Sequence, residues 1–383
     1  MTRARAMRHR AAQRLAAFLL PLVGCSSSNE GVTGDAGAEA CGSCHTTELA
    51  AWSTSPLASS GTSPVFTALA ERAATAWGAD ARARCQACHE PGIGGDSAIG
   101  CVACHAATGN VAPRDGLLTT DLDQPLAGPF ADAAPTPAHG SRVYGFLESP
   151  DLCGTCHEVT GPDLFHETTL DELEASPAAN SGAGCVGCHM PPVAPGPIAP
   201  GGPEARPRAD HAFVGIDPPF GASADVAAAS AARTLALLRA GIQLTMTRAT
   251  AGGGFDVTVT NEAGHAVPTG IAFIRGVWVD VVLTGARGAP VTLPSVIALG
   301  SRPTSNGEPV ALVTEADAVE SRVLAPGGSL TAHVDVPSSL AGPVTARATL
   351  SARAVRPEVL SALGLDAVAD EVPTHEVAIV VVR

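Results

Sequence analysis

Ten of the eleven cysteines fall in five pairs of one spelling, Cys-x-x-Cys-His: Cys41/Cys44/His45, Cys85/Cys88/His89, Cys101/Cys104/His105, Cys153/Cys156/His157 and Cys185/Cys188/His189. That spacing is what covalent attachment of a haem requires. Two sulfurs form thioethers to the two vinyl groups of one macrocycle, and the His that follows reaches the iron from the same side. At this frequency of Cys and His, one chance match has odds of roughly one in a hundred, so five are not chance. A disulfide framework would not need a His after every second Cys. Structural zinc takes two Cys pairs per tetrahedral site, and five pairs leave one over. The expectation is five haem c groups, with His45, His89, His105, His157 and His189 as proximal iron ligands. It also accounts for the scarcity of aromatics, 9 Phe, 3 Trp and 1 Tyr, because porphyrins supply the large flat apolar surface instead.

The second axial position of each iron needs another donor. Of 12 His, five are proximal and His9 lies in an export signal argued below. His139, His166, His211 and His265 are the distal candidates. Each has a plain alternative: a surface residue for His139 and His211, a polar loop residue for His166, a turn-stabilising residue for His265. His265 sits in Asn261–Gly270, where Gly264 and Gly270 can take positive φ and Pro268 fixes its own, so a loop of one shape is expected. His333 and His375 lie in strand-like alternation and read as a solvated face. Met190 is too close to its own motif to cross the ring, and Met246 reads as strand filler. Irons closed by two His exchange electrons and do not bind substrate.

The elements that must position these residues divide the chain. Residues 40–221 hold all five motifs among Gly, Pro, Ala and short helical pieces, Thr46–Ser53 and Val65–Trp77 among them. Pro191–Pro207 reads as an extended, Pro-rich connector. Residues 222–240 are Ala-rich and predict a connecting helix. Residues 241–383 turn to short alternating strands: Ile242–Thr247, Phe255–Thr260, Val277–Leu283, Ser329–Val336, Val344–Ala354 and Glu376–Val382, separated by Gly- and Pro-containing turns. These predict a β-sandwich. The fold class expected is α+β: a mostly irregular and helical cytochrome c domain packed around haems, then an all-β domain.

Residues 1–24 read as a secretory signal, with Arg3, Arg5, Arg8, Arg10 and Arg14 before the apolar stretch Leu15–Gly24, which is too short to span a bilayer. It ends in Leu22-Val23-Gly24-Cys25, which resembles the lipobox of bacterial lipoproteins, making Cys25 the expected lipidation site and residues 25–39 a flexible tether. The expected location is outside the cytoplasm, lipid-anchored to the envelope on the periplasmic side or at the outer membrane. The chain carries no Lys and a net charge of −14; after residue 24 there are 18 Arg against 37 acids, a net of −19. Such a surface argues against nucleic acid, whose binding is driven by cationic side chains.

The strings Glu39–Trp52, Gly100–His105, His139–His157, His189–Pro191, Asp210–Gly215 and Gly264–Gly270 resemble multihaem c-type cytochromes related to the tetrahaem electron carrier of ammonia oxidisers. The resemblance implies that His139 and His211 are distal ligands. One departure stands out: the family reads Trp-x-x-Ser-x-His-Ala after the first motif, and here Trp52, Ser55 and Ala58 are present but Leu57 replaces the His. The first haem is therefore expected either to be open or to recruit a spare His. Nitrite reductases of this superfamily use a Lys ligand, absent here. Hydroxylamine-oxidising relatives cross-link a Tyr, and the lone Tyr144 lies in an ordinary packing segment. No catalytic residue is assigned. The function expected is electron relay to redox partner proteins of the cell envelope. The alternatives are an oxidoreductase acting on a small nitrogen or sulfur compound at one open haem, and a haem-bearing scaffold subunit docked by its β-domain.

Overall fold

The computed structural model describes residues 31–32, 36–111, 117–134, 136–161, 163–180, 184–250 and 253–383. The signal, the lipobox and Cys25 lie outside them. The fold is α+β. In the first half, short helices carry the motifs, and four of them end on the motif histidine: Ala79–His89, Cys101–His105, Pro150–His157 and Gly184–His189. The first motif instead straddles a break, with His45 standing just before the helix Thr46–Trp52. Starts are set locally. Ser149 accepts from the backbone N–H of Asp151 with Pro150 at the first helical position, and Ser63 with Pro64 caps Pro64–Trp77 by accepting from Phe66. Pro costs nothing there, since that N–H has no partner within the helix.

The Pro-rich stretch departs from expectation. It is not simply extended: Pro192–Gly196 pairs antiparallel with Arg206–Ala209, with Val193 opposite Arg208 and an irregular register before Gly196. Pro has no N–H to give a ladder, so such a hairpin forms where only a few positions pair.

Ala224–Gly241, capped by Ser223, leads into two antiparallel sheets. One has the order Ser329–Val334, Phe255–Asn261, Ile242–Arg248. The other has the order Val291–Leu299, Gly276–Arg287, Ala341–Arg353, Thr374–Val382. Strict alternation turns Phe255, Val257 and Val259 inward, and likewise Val277, Val279, Val281 and Leu283; the two faces share one apolar core. Each fully buried aliphatic side chain there contributes about 1.5–3 kcal/mol. Met246 is part of that core. A second cluster joins the two halves: Val65 of the first half packs with Phe273, Ile274, Leu312, Val355 and Leu360 of the second.

His375 differs from expectation as well. It is 6% exposed, because the alternation of Thr374–Val382 turns it inward with Val377. His333 is on the outer face, its Nδ1 2.7 Å from Asp256 Oδ1. Among the described residues no helix is long and apolar enough to cross a membrane.

Candidate haem-binding centre

A helix that ends on a motif histidine fixes the two thiols and the imidazole on one side of whatever they hold. What each imidazole does next depends on its second nitrogen. Four of the five motif histidines face a backbone carbonyl at Nδ1: His45 faces Ile198 at 2.9 Å, His89 faces Ser60 at 3.4 Å, His105 faces Ala127 at 2.7 Å and His189 faces Val214 at 2.6 Å. An Nδ1–H donated to a carbonyl leaves Nε2 as the lone-pair donor, which is the tautomer a metal requires. The hairpin found in the Pro-rich stretch thus has a local task, since the turn between its strands supplies the Ile198 carbonyl.

The thiols are not placed alike. The Cys101 thiol bonds that of Cys41, Cys156 that of Cys88, and Cys153 that of Cys185, so the motifs adjoin one another. Eight of the ten motif cysteines are half-buried, and Cys44 and Cys188 are exposed. Both are the second thiol of their motif, and in both motifs it is the first thiol, Cys41 or Cys185, that faces a neighbouring motif. Cys44 also follows the end of the helix Ala38–Gly42, where the Ser43 hydroxyl turns back to the Ala40 carbonyl at 2.7 Å. Cys188 stands in the last turn of a helix of six residues with no buried side chain. Exposure leaves these sulfurs accessible, and access rather than burial is what thiol chemistry needs.

Three distal candidates have rings near-parallel to those of motif histidines. His139 lies opposite His45 with ring centroids 6.2 Å apart and planes at 28°; His211 lies opposite His105 at 6.4 Å and 16°; His265 lies opposite His189 at 6.1 Å and 23°. An imidazole nitrogen binds a metal at about 2 Å, so two rings ligating one metal from opposite sides have centroids roughly 6 Å apart. The stacked pair Phe66 and His89 is closer, at 4.2 Å. The three distal rings are prepared as the proximal ones are, with Nδ1 against the carbonyls of Gly140, Ala209 and Ala266 at 2.8, 3.0 and 3.0 Å. His166 is exposed and stands outside these pairs.

The first motif therefore meets His139 even though Leu57 stands where the resemblance led to a His. The segment around Leu57 serves the second motif: Ser60 donates from Oγ to the His89 carbonyl at 2.6 Å, and its own carbonyl faces His89 Nδ1. Tyr144 packs, its hydroxyl donating to the Thr108 carbonyl at 2.8 Å under the Arg142 guanidinium.

His265 is held by elements of both halves. Asn261, fully buried, donates from Nδ2 to the carbonyls of His265 and Leu324 and accepts from the Ala263 N–H, all at 2.8 Å. Glu172 of the first half accepts from Ala266 N–H at 3.0 Å and from the Thr269 hydroxyl at 2.5 Å. Gly270 takes φ +71°, whereas Gly264 needs no positive φ; a Cβ on Gly264 would sit 3.0 Å from Leu173, a close approach between the halves.

The remaining two motifs are built otherwise. His89 carries Phe66 flat on its ring, at 10°. His157 is the one motif histidine beside a carboxylate, with Nδ1 3.6 Å from Glu167 Oε1. Burial would raise the Glu167 carboxyl, but His157 and the Thr169 hydroxyl at 2.6 Å together hold it below its ordinary value. The sequence reading passed over Glu167 because its neighbour His166 drew attention; alternation along His166–Glu167 puts the His outside and the Glu inside.

Arg208, opposite Val193 in the hairpin, lies 3.8 Å from Glu48 in a cavity of 80 Å³ beside His211. Its buried Nε and Glu48 Oε2 have no protein partner, and an unpartnered guanidinium N–H is a donor for a carboxylate.

No protein-family model matches the chain, and neither does any curated protein. The fold is similar to the crystal structure of a penta-heme cytochrome c552 from Thermochromatium tepidum, with a TM-score of 0.66 and 18% identity, covering 91% of this chain and 98% of that one.

Proposed function

We propose that the protein is a multihaem c-type cytochrome that carries five covalent haems and relays electrons at the bacterial cell envelope. The observation that carries this reading is the set of three opposed imidazole pairs, each built on a Cys-x-x-Cys-His motif and each at the spacing of two ligands on one metal. Haem held this way supplies reversible one-electron chemistry at iron. The protein's part is to fix the ligands: carbonyl acceptors set the tautomers, and His139, His211 and His265 supply the far-side nitrogens. The orphaned Arg208 Nε fits a haem propionate. A penta-heme structural neighbour and the likeness of several strings to tetrahaem electron carriers support a carrier. Intact mass of the mature holoprotein should exceed the chain by five haems; four or fewer would overturn the reading.

The envelope location rests on the lipobox reading of Cys25. A chain lipidated there is anchored stably, since several acyl chains act together. Cys25→Ala should move the protein from the membrane fraction to the soluble one, and retention in the membrane would remove the anchor from the proposal.

A second reading has one observation in its favour. His89 and His157 meet no other histidine ring among the described residues, so the irons held there have an axial position without an imidazole. An oxidoreductase acting on a small nitrogen or sulfur compound would use one of them. Cyanide binding to the resting protein, followed by absorbance, tests it: no binding would leave only the relay.

A further inference from the structure

Each of the three opposed imidazole pairs takes a ring from one loop, or rests a ring on it. The loop runs from His189 to Val214 and closes on itself at its base. There the Val214 N–H donates to the His189 carbonyl at 2.9 Å, and the Val214 carbonyl faces His189 Nδ1 at 2.6 Å. Asp210 N–H donates to the Pro191 carbonyl at 3.0 Å, and the hairpin of Pro192–Gly196 with Arg206–Ala209 carries the chain outward. Its turn sets the Ile198 carbonyl 2.9 Å from His45 Nδ1. On the way back the Ala209 carbonyl stands 3.0 Å from Nδ1 of His211, the ring opposite His105. The loop thus reaches the His45–His139, His105–His211 and His189–His265 pairs. The other two motif histidines have their Nδ1 neighbours elsewhere, Ser60 for His89 and Glu167 for His157.

We propose that the loop His189–Val214 is a common brace for the three opposed pairs, and that Arg206 and Arg208 are the positioning residues that hold its hairpin in place. This rests on reading those pairs as iron ligands. Pro192, Pro195 and Pro207 have no N–H to give a ladder, and the hairpin has only three residue pairs in register, so side chains must supply the hold. Arg206 lies over the Phe130 ring at 4.7 Å and donates to Asp132 at 2.8 Å. Those two residues belong to the segment between Ala127, whose carbonyl faces His105, and His139. Arg208 reaches the other way, to Glu48 in the helix Thr46–Trp52 that starts directly after His45. At 3.8 Å, with side chains 13 and 17% exposed, this is a contact of charges rather than a hydrogen bond, and burial keeps solvent from screening it.

The turn that carries His211 has one shape. Asp210 Oδ1 accepts from the Ala212 N–H at 2.9 Å, and Phe213 takes φ +45° with its ring edge-on to His211. That backbone conformation is unfavourable for a bulky residue and persists where the surroundings over-determine it. A rigid turn passes on a displacement of the strand before it. Freeing the hairpin therefore moves the Ile198 carbonyl at His45 and the His211 ring together, whereas His189, tied at the base of the loop, keeps its place.

The angle between two axial imidazole planes sets the g-values of a low-spin ferric haem, and the planes of these pairs stand at 28°, 16° and 23°. The test reads those signals by electron paramagnetic resonance in the full holoprotein, with haem counted by pyridine haemochrome. His139→Ala, His211→Ala and His265→Ala each remove one low-spin signal and so assign it. In Arg206→Ala/Arg208→Ala, with five haems attached, the signals of the His45–His139 and His105–His211 pairs should shift together while that of His189–His265 stays. Arg208→Lys, which keeps a cation beside Glu48, should shift both by less than Arg208→Ala does. If the double variant loses haem, Arg208→Ala alone is read in the same way. Movement of one signal only would mean that Arg208 serves a single haem, through a propionate or one ring, and would overturn the shared brace. No movement would overturn it as well. A wild type without three low-spin bis-imidazole signals would instead overturn the pairing of the histidines on which the brace rests.

Discussion

An imidazole has two nitrogens, and the protein decides at each histidine which of them is left to bind. At His139, His211 and His265 a carbonyl takes Nδ1 within a residue or two along the chain, so the choice of tautomer is made locally. Replacing any one of the three by Ala should leave its partner's iron with a single imidazole. Each variant should show one more high-spin haem than wild type by electron paramagnetic resonance, with five haems still attached; an unchanged spectrum for a given variant would deny that residue its ligand role. His166→Ala should change nothing, since His166 is exposed and outside the pairs. His375 makes a prediction of a different kind. Burial holds its imidazole below the ordinary value of 6.5, so it is neutral in the fold, while the unfolded chain takes up a proton as pH falls through that ordinary value. The unfolded state then binds more protons, and stability rises with pH there. The contribution is fully present above about pH 6.5 and shrinks as pH drops toward the folded value. The stability difference between wild type and His375→Leu, read from urea midpoints, should therefore shift against wild type between about pH 7.5 and about pH 5.5. A pH-independent difference would mean that the ring titrates alike in the folded and unfolded states, so that burial does not shift it.

At the scale of elements, what was legible in the sequence depended on how local the cause was. Pro64–Trp77 could be read because a capping Ser, a Pro and a helical pattern lie side by side, and the inner strands because strict alternation marks them. The edge strand Val291–Leu299 was missed because Pro294 interrupts it, and Pro is tolerated in a sheet only at an edge, where this strand lies. The five Cys-x-x-Cys-His motifs were legible as motifs, because their spelling occupies five consecutive positions. Their surroundings were not: nothing in the spelling separates the exposed Cys44 and Cys188 from the other eight thiols, because exposure is set by which motif packs beside which. The pairing of distal histidines with motifs was hidden for the same reason, since His45 and His139, or His189 and His265, are brought together by packing between distant segments. The loop after Phe255–Asn261 shows how packing does this. Its rigidity was expected from Gly and Pro, yet the residue that fixes it is Asn261, whose three side-chain bonds tie both ends of the loop. Asn261→Ala would leave the His265 carbonyl and the Ala263 N–H without the Asn261 partner in the interior, while the Leu324 carbonyl keeps the Val267 N–H, at a cost on the order of 3 kcal/mol. It should lower the thermal midpoint and also free His265, giving one additional high-spin haem. Loss of stability with wild-type spin content would show that the loop holds His265 without the Asn261 clamp.

The whole molecule is acidic. After residue 24 the chain has 18 Arg, no Lys and 37 acids, and several of those Arg are spent inside. The side chains of Arg208, Arg275 and Arg356 are only 13, 15 and 18% exposed. Arg239 and Arg248 donate to backbone carbonyls of the β-domain. Arg208, Arg275 and Arg356 each lie beside an acid, so the outward field still follows the excess of acids over Arg, and bound haem propionates would add to it. A field of one sign steers diffusing partners of the opposite sign and repels its own, and salt weakens both effects as the screening length falls to about 10 Å at 0.1 M. The redox partner proposed for this protein should therefore present a basic docking surface. Small mediators can stand in for it. Electron exchange with a cationic metal complex should be fast at low ionic strength and slow as salt is added, whereas exchange with an anionic complex should start slow and speed up. The two rates, measured by stopped flow against ionic strength, should converge at high salt. If they show the same salt dependence, the acidic surface does not govern approach to the haems, and a basic partner loses its physical reason.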